Sequence, residues 1–247
     1  MSVSPEKITA VILAGGFGKR IRHLLPDLPK PMVPVNGRPF LEWVVRYLAA
    51  QKIRRVILST GHLAEIIAKH FQSQPVQNVR VSCVPETKPL GTAGGFLNAI
   101  NGVKEQPQAW LVLNGDSLAP TPLDEMFQSL NGPDYWDGAI LGVPMLDASR
   151  YGTISQDISG RLTGFNEKKS GEGVINAGVY LFRAWVAGKF TSRKPLSFET
   201  DVFPTQISEG MSLKVCVTDA PFLDIGTPES LPLAEEFLRR NAHFFEP

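Results

Sequence analysis

The residues best suited to chemistry lie near the start of the chain. Gly15, Gly16 and Gly18 are followed at once by Lys19, Arg20 and Arg22, and Lys30 stands between Pro29 and Pro31. Glycines here remove the side chains that would hold a backbone away from phosphate oxygens, and they admit the positive φ angles of an anion-binding loop. A lysine flanked by prolines sits on a stiff extended backbone, so it loses less entropy when it fixes an anion. Two familiar glycine patterns fail. The dinucleotide fingerprint needs glycine where Ile21 stands, and the P-loop needs Ser or Thr where Arg20 stands. A second glycine-rich stretch runs from Glu86 to Gly95, ETKPLGTAGG, and reads as a helix start open to a ligand. Asp116 in Asn114-Gly115-Asp116-Ser117 ends an apolar run. By itself it is as well explained by turn capping as by function.

Alternating elements must position these residues. A strand over Thr9 to Leu13 leads into the first glycine loop, and the phosphate-binding order of strand, loop and helix predicts a helix straight after it. Helical spacing of apolar residues over Pro39 to Gln51, a strand over Arg55 to Ser59, and the same alternation through a helix at Leu63 to Phe71, a strand at Val79 to Val84, a helix from Thr92 to about Asn101 and a strand at Ala109 to Leu113 predict a parallel sheet covered on both faces. After about residue 137 shorter strands follow, at Gly138 to Pro144, Gly152 to Ser155, Leu162 to Asn166, Gly178 to Phe182 and Leu213 to Val217, and a helix from about Ser230 to Asn241 closes the chain. The expected fold is therefore α/β, with a mostly parallel mixed sheet. One domain spans residues 1–247, divided by that change in strand length into halves over about 8–137 and about 138–247.

Composition narrows the partners. Twenty-five basic against 24 acidic residues give a formal charge of +1, too little for a global field that attracts nucleic acid or an anionic membrane. The N-terminus lacks an apolar h-region and no apolar stretch approaches the length of a membrane span, which predicts a cytoplasmic protein. Cys83 and Cys216 sit far apart in apolar runs and read as buried free thiols. His23, His62, His70 and His243 have no partner at metal or nucleophile spacing, and the Trp and Phe residues lack the basic interleaving of a base-stacking surface.

LAGGFGKR with PKPM some ten residues on, then ETKPLGTAGG, NGDS, RYG, FNEKK, INAG and FLDIGTP, follow one another in an order that resembles the sugar-1-phosphate nucleotidyltransferases over about residues 8 to 240. That resemblance implies a Rossmann-like three-layer α/β/α sandwich of the nucleotide-diphospho-sugar transferase type. It also implies an enzyme that joins an NTP to a sugar 1-phosphate with Mg²⁺, in a chain able to form homo-oligomers. It places Leu13, Ala14, Gly15, Gly16, Gly18, Lys19, Glu86, Gly91, Thr92, Asn114 and Gly115 around the nucleotide. Gly152, Glu167, Lys168, Asn176 and Glu199 fall around the sugar phosphate, and Arg20, Lys30 and Lys168 neutralise phosphate charge. Asp116 and Asp224 are the implied metal ligands, two carboxylates whose octahedron phosphate oxygens and water would complete. Apart from the resemblance, Glu167-Lys168 is as well read as a solvated turn, and Glu199 with Asp201 as an acid pair at a helix start.

The stretch DLPKPMVPVNGRPFLEW and the string LSFETD are most similar to the bacterial heptose 1-phosphate guanylyltransferases, which implies GTP and GDP-heptose. Uridylyl-, thymidylyl- and mannose guanylyltransferases remain as alternatives, as does a non-catalytic nucleotide-sugar sensor.

Overall fold

The computed structural model describes residues 2–246 apart from 17, 19, 22, 24, 167–169 and 192–194. In chain order the strands and α-helices are β1 (Ile8–Ala14), β2 (Pro34–Val35), β3 (Arg38–Pro39), α1 (Phe40–Ala50), β4 (Arg55–Thr60), α2 (Ala64–Ser73), β5 (Arg80–Pro85), α3 (Thr92–Asn101), β6 (Ala109–Asn114), β7 (Ser117–Leu118), α4 (Asp124–Ser129), β8 (Gly138–Met145), β9 (Thr153–Gln156), β10 (Leu162–Asn166), β11 (Gly173–Arg183), α5 (Phe203–Ser208), β12 (Leu213–Val217), β13 (Leu223–Asp224) and α6 (Ala234–Arg240).

Among the described residues nine strands form one sheet. β5, β4, β1 and β6 lie side by side and parallel, and β11 then enters antiparallel to β6. The other edge of β11 pairs with β8, which pairs in parallel with β12, while β9 and β10 branch from the first half of β11. Side chains alternate across the strands, so each strand feeds two cores. Ile8, Ala10 and Ile12 of β1 pack with α1, α2, α4 and α6, whereas Val11 faces Phe96 of α3 and the aromatic cluster of Tyr180, Phe182, Phe198 and Phe203. This is the three-layer α/β/α sandwich. Among the described residues no helix is long and apolar enough to cross a membrane.

Three expectations need correction. Among the described residues between Gly15 and Pro29 there is no α-helix, only turns and a 3₁₀ conformation at His23, and a 3₁₀ turn follows at Lys30–Met32. The physical reason is punctuation. Pro26, Pro29 and Pro31 leave too few residues after Gly18 to cover the cost of helix nucleation. The last helix starts at Ala234, behind a 3₁₀ turn at Leu231–Leu233 that holds Pro232. Finally, Cys216 is buried but Cys83 is only half-buried, because β5 is an edge strand; both thiols are free, and burial pushes that of Cys216 up to about 12.

Candidate active site

Above the C-terminal ends of the parallel strands lies a cavity of about 560 Å³, the place where open α/β sheets gather ligands. One wall is the first glycine loop. Leu13 and Ala14 end β1 there, and Gly15, Gly16, Gly18 and Arg20 continue the lining. A β-carbon on Gly15 would fall 2.7 Å from Glu86 Oε1, and one on Gly61 would fall 2.5 Å from the Gly15 carbonyl oxygen. The loop is thus pressed between the ends of β4 and β5, with Gly18 at φ +56° turning it toward Lys30. Gly115 is not on the cavity wall. Its N–H donates to the Leu13 carbonyl at 3.0 Å and ties the end of β6 to β1.

The second wall is Glu86 with the start of α3. Glu86 Oε1 accepts from Ser59 Oγ at 3.0 Å, and Oε2 accepts from the Leu90 N–H at 3.2 Å. Both carboxylate oxygens keep further lone pairs. Gly91 at φ +78° and Thr92 also line the cavity. The α3 N-terminus is less open than its sequence predicts, because the N–H groups of Ala93 and Gly94 both donate to the Leu196 carbonyl at 3.0 Å. Gly91 serves that packing as much as any ligand: a β-carbon there would lie 2.4 Å from the same carbonyl oxygen.

At the floor, two carboxylates distant in sequence converge. β13 pairs antiparallel with β7, setting Asp224 opposite Ser117, and the Ile225 N–H donates to the Asp116 carbonyl at 3.0 Å. Lys30 Nζ lies between the two acids, 2.6 Å from Asp116 Oδ2 and 3.5 Å from Asp224 Oδ1. No group of three or more His, Cys, Asp and Glu able to hold a metal occurs among the described residues. Asp116 and Asp224 are two hard oxygen donors, a set that would fit Mg²⁺ were phosphate oxygens and water to supply the rest.

On the remaining side the wall is made of polar and aromatic side chains. Asn114, Asn176, Tyr151 and Phe222 line it, the two aromatic rings meeting edge to face at 5.3 Å. A register shift in β11 between Asn176 and Tyr180, with Gly178 at φ +71°, turns Asn176 to the cavity; a β-carbon on Gly178 would collide with the Asn114 amide. The Asn176 amide is fixed at both ends. Oδ1 accepts from the Gly178 N–H at 2.9 Å, and Nδ2 donates to Tyr180 Oη at 2.7 Å. Tyr180 in turn donates to Glu199 Oε1 at 3.0 Å, and Glu199 Oε2 accepts from Thr92 Oγ1 and Ser197 Oγ at 3.0 and 2.7 Å. Complete burial, reinforced by the Glu199 charge, pushes the Tyr180 phenol well above its usual range, so it remains a donor.

Glu199 itself stands behind the cavity wall, on a single π turn at Phe198–Val202. Asp201 acts on the backbone instead, its Oδ2 accepting from the Ser197 N–H at 2.7 Å and so capping that turn. Gly152 also lies off the wall, where its carbonyl accepts from the Asn176 N–H at 3.0 Å. Lys19, Glu167 and Lys168 lie outside the described residues. Sequence reasoning passes over Ser59, Tyr180, Ser197 and Phe222, whose types and apolar settings read as ordinary strand and core residues.

The nucleotidyl transferase family model matches residues 9–241. The chain belongs to the nucleotidyl transferase family. Within that family it is 33% identical over 221 residues to the D-glycero-alpha-D-manno-heptose 1-phosphate guanylyltransferase of Campylobacter jejuni, covering 89% of this chain and 95% of the relative. It is 34% identical over 234 residues to the enzyme of the same name from Aneurinibacillus thermoaerophilus, covering 93% and 98%. Among solved structures, HddC from Yersinia pseudotuberculosis in complex with GMP-PN superposes with a TM-score of 0.78 at 33% identity, over 92% of this chain and 98% of that one.

Proposed function

We propose that this nucleotidyl transferase joins GTP to D-glycero-α-D-manno-heptose 1-phosphate in the cytoplasm, releasing pyrophosphate and GDP-heptose. The observation that carries the reading is the convergence of two glycine-rich walls, Lys30, Asp116 and Asp224 in one cavity large enough for two anionic substrates. The names of the relatives supply the sugar and the base.

In the reaction an oxygen of the sugar phosphate attacks the α-phosphorus of GTP as the bond to the bridging oxygen of pyrophosphate breaks. The nucleophile needs no general base, since the second pKa of a phosphate monoester is about 6 and it is mostly dianionic at neutral pH. The obstacle is to bring two polyanions into line, which calls for positioning and charge neutralisation. Arg20, beside the first glycine loop, holds the leaving pyrophosphate, and Lys30 serves the α-phosphate. Lys168 receives the sugar phosphate on the strength of its motif. Asp116 and Asp224 would hold Mg²⁺, which supplies charge neutralisation between the two phosphates when bound.

Glu86 favours guanine on chemical grounds. A carboxylate accepts only, and guanine offers adjacent N1–H and N2–H donors, whereas uracil and thymine offer one N–H flanked by two carbonyls. A grid of NTPs against sugar 1-phosphates, read by pyrophosphate release, tests the proposal. GTP with heptose 1-phosphate is expected to give the highest kcat/KM. Tight nucleotide-sugar binding with no turnover in any pairing would replace it with the sensor reading.

A further inference from the structure

Lys30 stands where its charge is useful twice. Its ammonium is 2.6 Å from Asp116 and 3.5 Å from Asp224, and its side chain is only 11% exposed. The slot that holds it is shaped by two glycines. A β-carbon on Gly18 would come within 2.9 Å of Lys30 Cβ, and one on Gly226 within 2.8 Å of Lys30 Nζ. The Gly226 N–H also donates to Asp224 Oδ1 at 2.6 Å, so that oxygen is already engaged by the main chain and faces the ammonium as well.

We infer that Lys30 is the resident counter-ion of the Asp116–Asp224 pair, so that it and a divalent cation compete for the same two carboxylates until a phosphate draws the lysine away. The inference rests on the nucleotidyl-transfer reading for its metal and its phosphate. Two acids with one ammonium carry a net charge of −1. Adding a divalent cation while the ammonium stays would make the cluster +1 and put like charges within a few ångströms of each other. A triphosphate removes that conflict, because its oxygens take the lysine and complete the metal's octahedron together. Metal and nucleotide thus load as a pair, and the empty enzyme is a poor metal binder.

The test is Mn²⁺ binding to the full chain without nucleotide, read from the electron paramagnetic resonance signal of the free ion. Lys30→Met is expected to bind Mn²⁺ at least about tenfold more tightly than the parent. A non-hydrolysable GTP analogue should tighten Mn²⁺ binding strongly in the parent and much less in Lys30→Met. Lys30→Gln serves as a second variant, and a cooperative thermal transition confirms that each is folded. Mn²⁺ binding no tighter in either variant than in the parent, while Asp116→Asn still abolishes it, overturns the inference and leaves the metal site standing. Binding indifferent to Asp116→Asn in every background overturns the metal assignment, and this inference with it.

Discussion

Around Gly15 the cavity wall is main chain. A β-carbon on Gly15 would fall 2.7 Å from Glu86 Oε1, so a methyl group there must displace a carboxylate that Ser59 and the Leu90 N–H hold in place. Around Asn176 the wall is a relay of side chains, Asn176 to Tyr180 to Glu199 to Thr92, each oriented by the next. The first wall suits a ligand common to many enzymes, since every NTP presents the same phosphates to backbone amides. The second suits a ligand whose hydroxyls differ from one sugar to another, because side chains can be exchanged without moving a strand. The same contrast says how each wall fails: the first by adding an atom, the second by removing one.

The floor shared by both walls should fail hardest. Asp116→Ala is expected to lower kcat by about 10³-fold or more, equivalent to about 4 kcal/mol, with an unchanged circular dichroism spectrum. A near-normal rate of pyrophosphate release would sink the assigned role. Gly15→Ala comes next. Its methyl meets the Glu86 carboxylate, and overpacking of about 1–3 kcal/mol should raise KM for GTP roughly 10- to 100-fold while KM for the sugar phosphate stays within about twofold. Equal rises in both constants would erase the contrast between the walls.

Tyr180→Phe inverts that pattern by deleting one hydroxyl. Asn176 loses its anchor and Glu199 a donor, so KM for the sugar phosphate should rise by about tenfold, at about 1–3 kcal/mol of stability, with KM for GTP little changed. Steady-state titration of each substrate separates the two outcomes.

Glu42 of α1, remote from both walls, gives the smallest effect on activity. Burial opposes its ionisation, but hydrogen bonds from Arg46, Arg38 and His70 prevail and hold its carboxyl below the usual range. A depressed folded pKa stabilises the protein above the unfolded value of about 4.3 and loses that contribution as pH falls through the folded one. Glu42→Gln should therefore cost about 2 kcal/mol at neutral pH, leave kcat/KM unaltered, and differ progressively less from the parent below about pH 4. Denaturant melts across pH 3–7 measure this, and a gap that widens on acidification would refute the sign.

The alternation of strands and helices is legible because apolar periodicity records burial, as in Leu41, Val44, Val45 and Leu48 of α1. The loop after Gly18 is misread from sequence, since the glycine pattern outweighs three prolines that bar a helix. Lys30 stands out as a cation between two prolines, whereas Asp116 and Asp224 are marked only by the resemblance of their motifs, and the structure brings the three together. Tyr180 does not stand out. In a strand it reads as one more aromatic residue, and only the register shift at Gly178 brings the Asn176 amide to its hydroxyl. Likewise nothing in the sequence tells that the Leu196 carbonyl closes the start of α3, because that contact spans about a hundred residues.

β11 carries Asn176 of one wall and is bonded to β6, the neighbour of the strand that carries the other. Its second half, Val179 to Arg183, is zipped to β6, while its first half carries Asn176 and pairs with β9. An engineer who wished to change the sugar by transplanting residues 138–247 from a relative would thus be cutting through a strand pairing. The graft would have to arrive with the neighbours of Tyr180 and Phe182 matched to Val112 and Trp110 across the seam. On the proposed function, single exchanges at the cavity-lining Tyr151, Asn176 and Phe222 are the more economical route to a new acceptor.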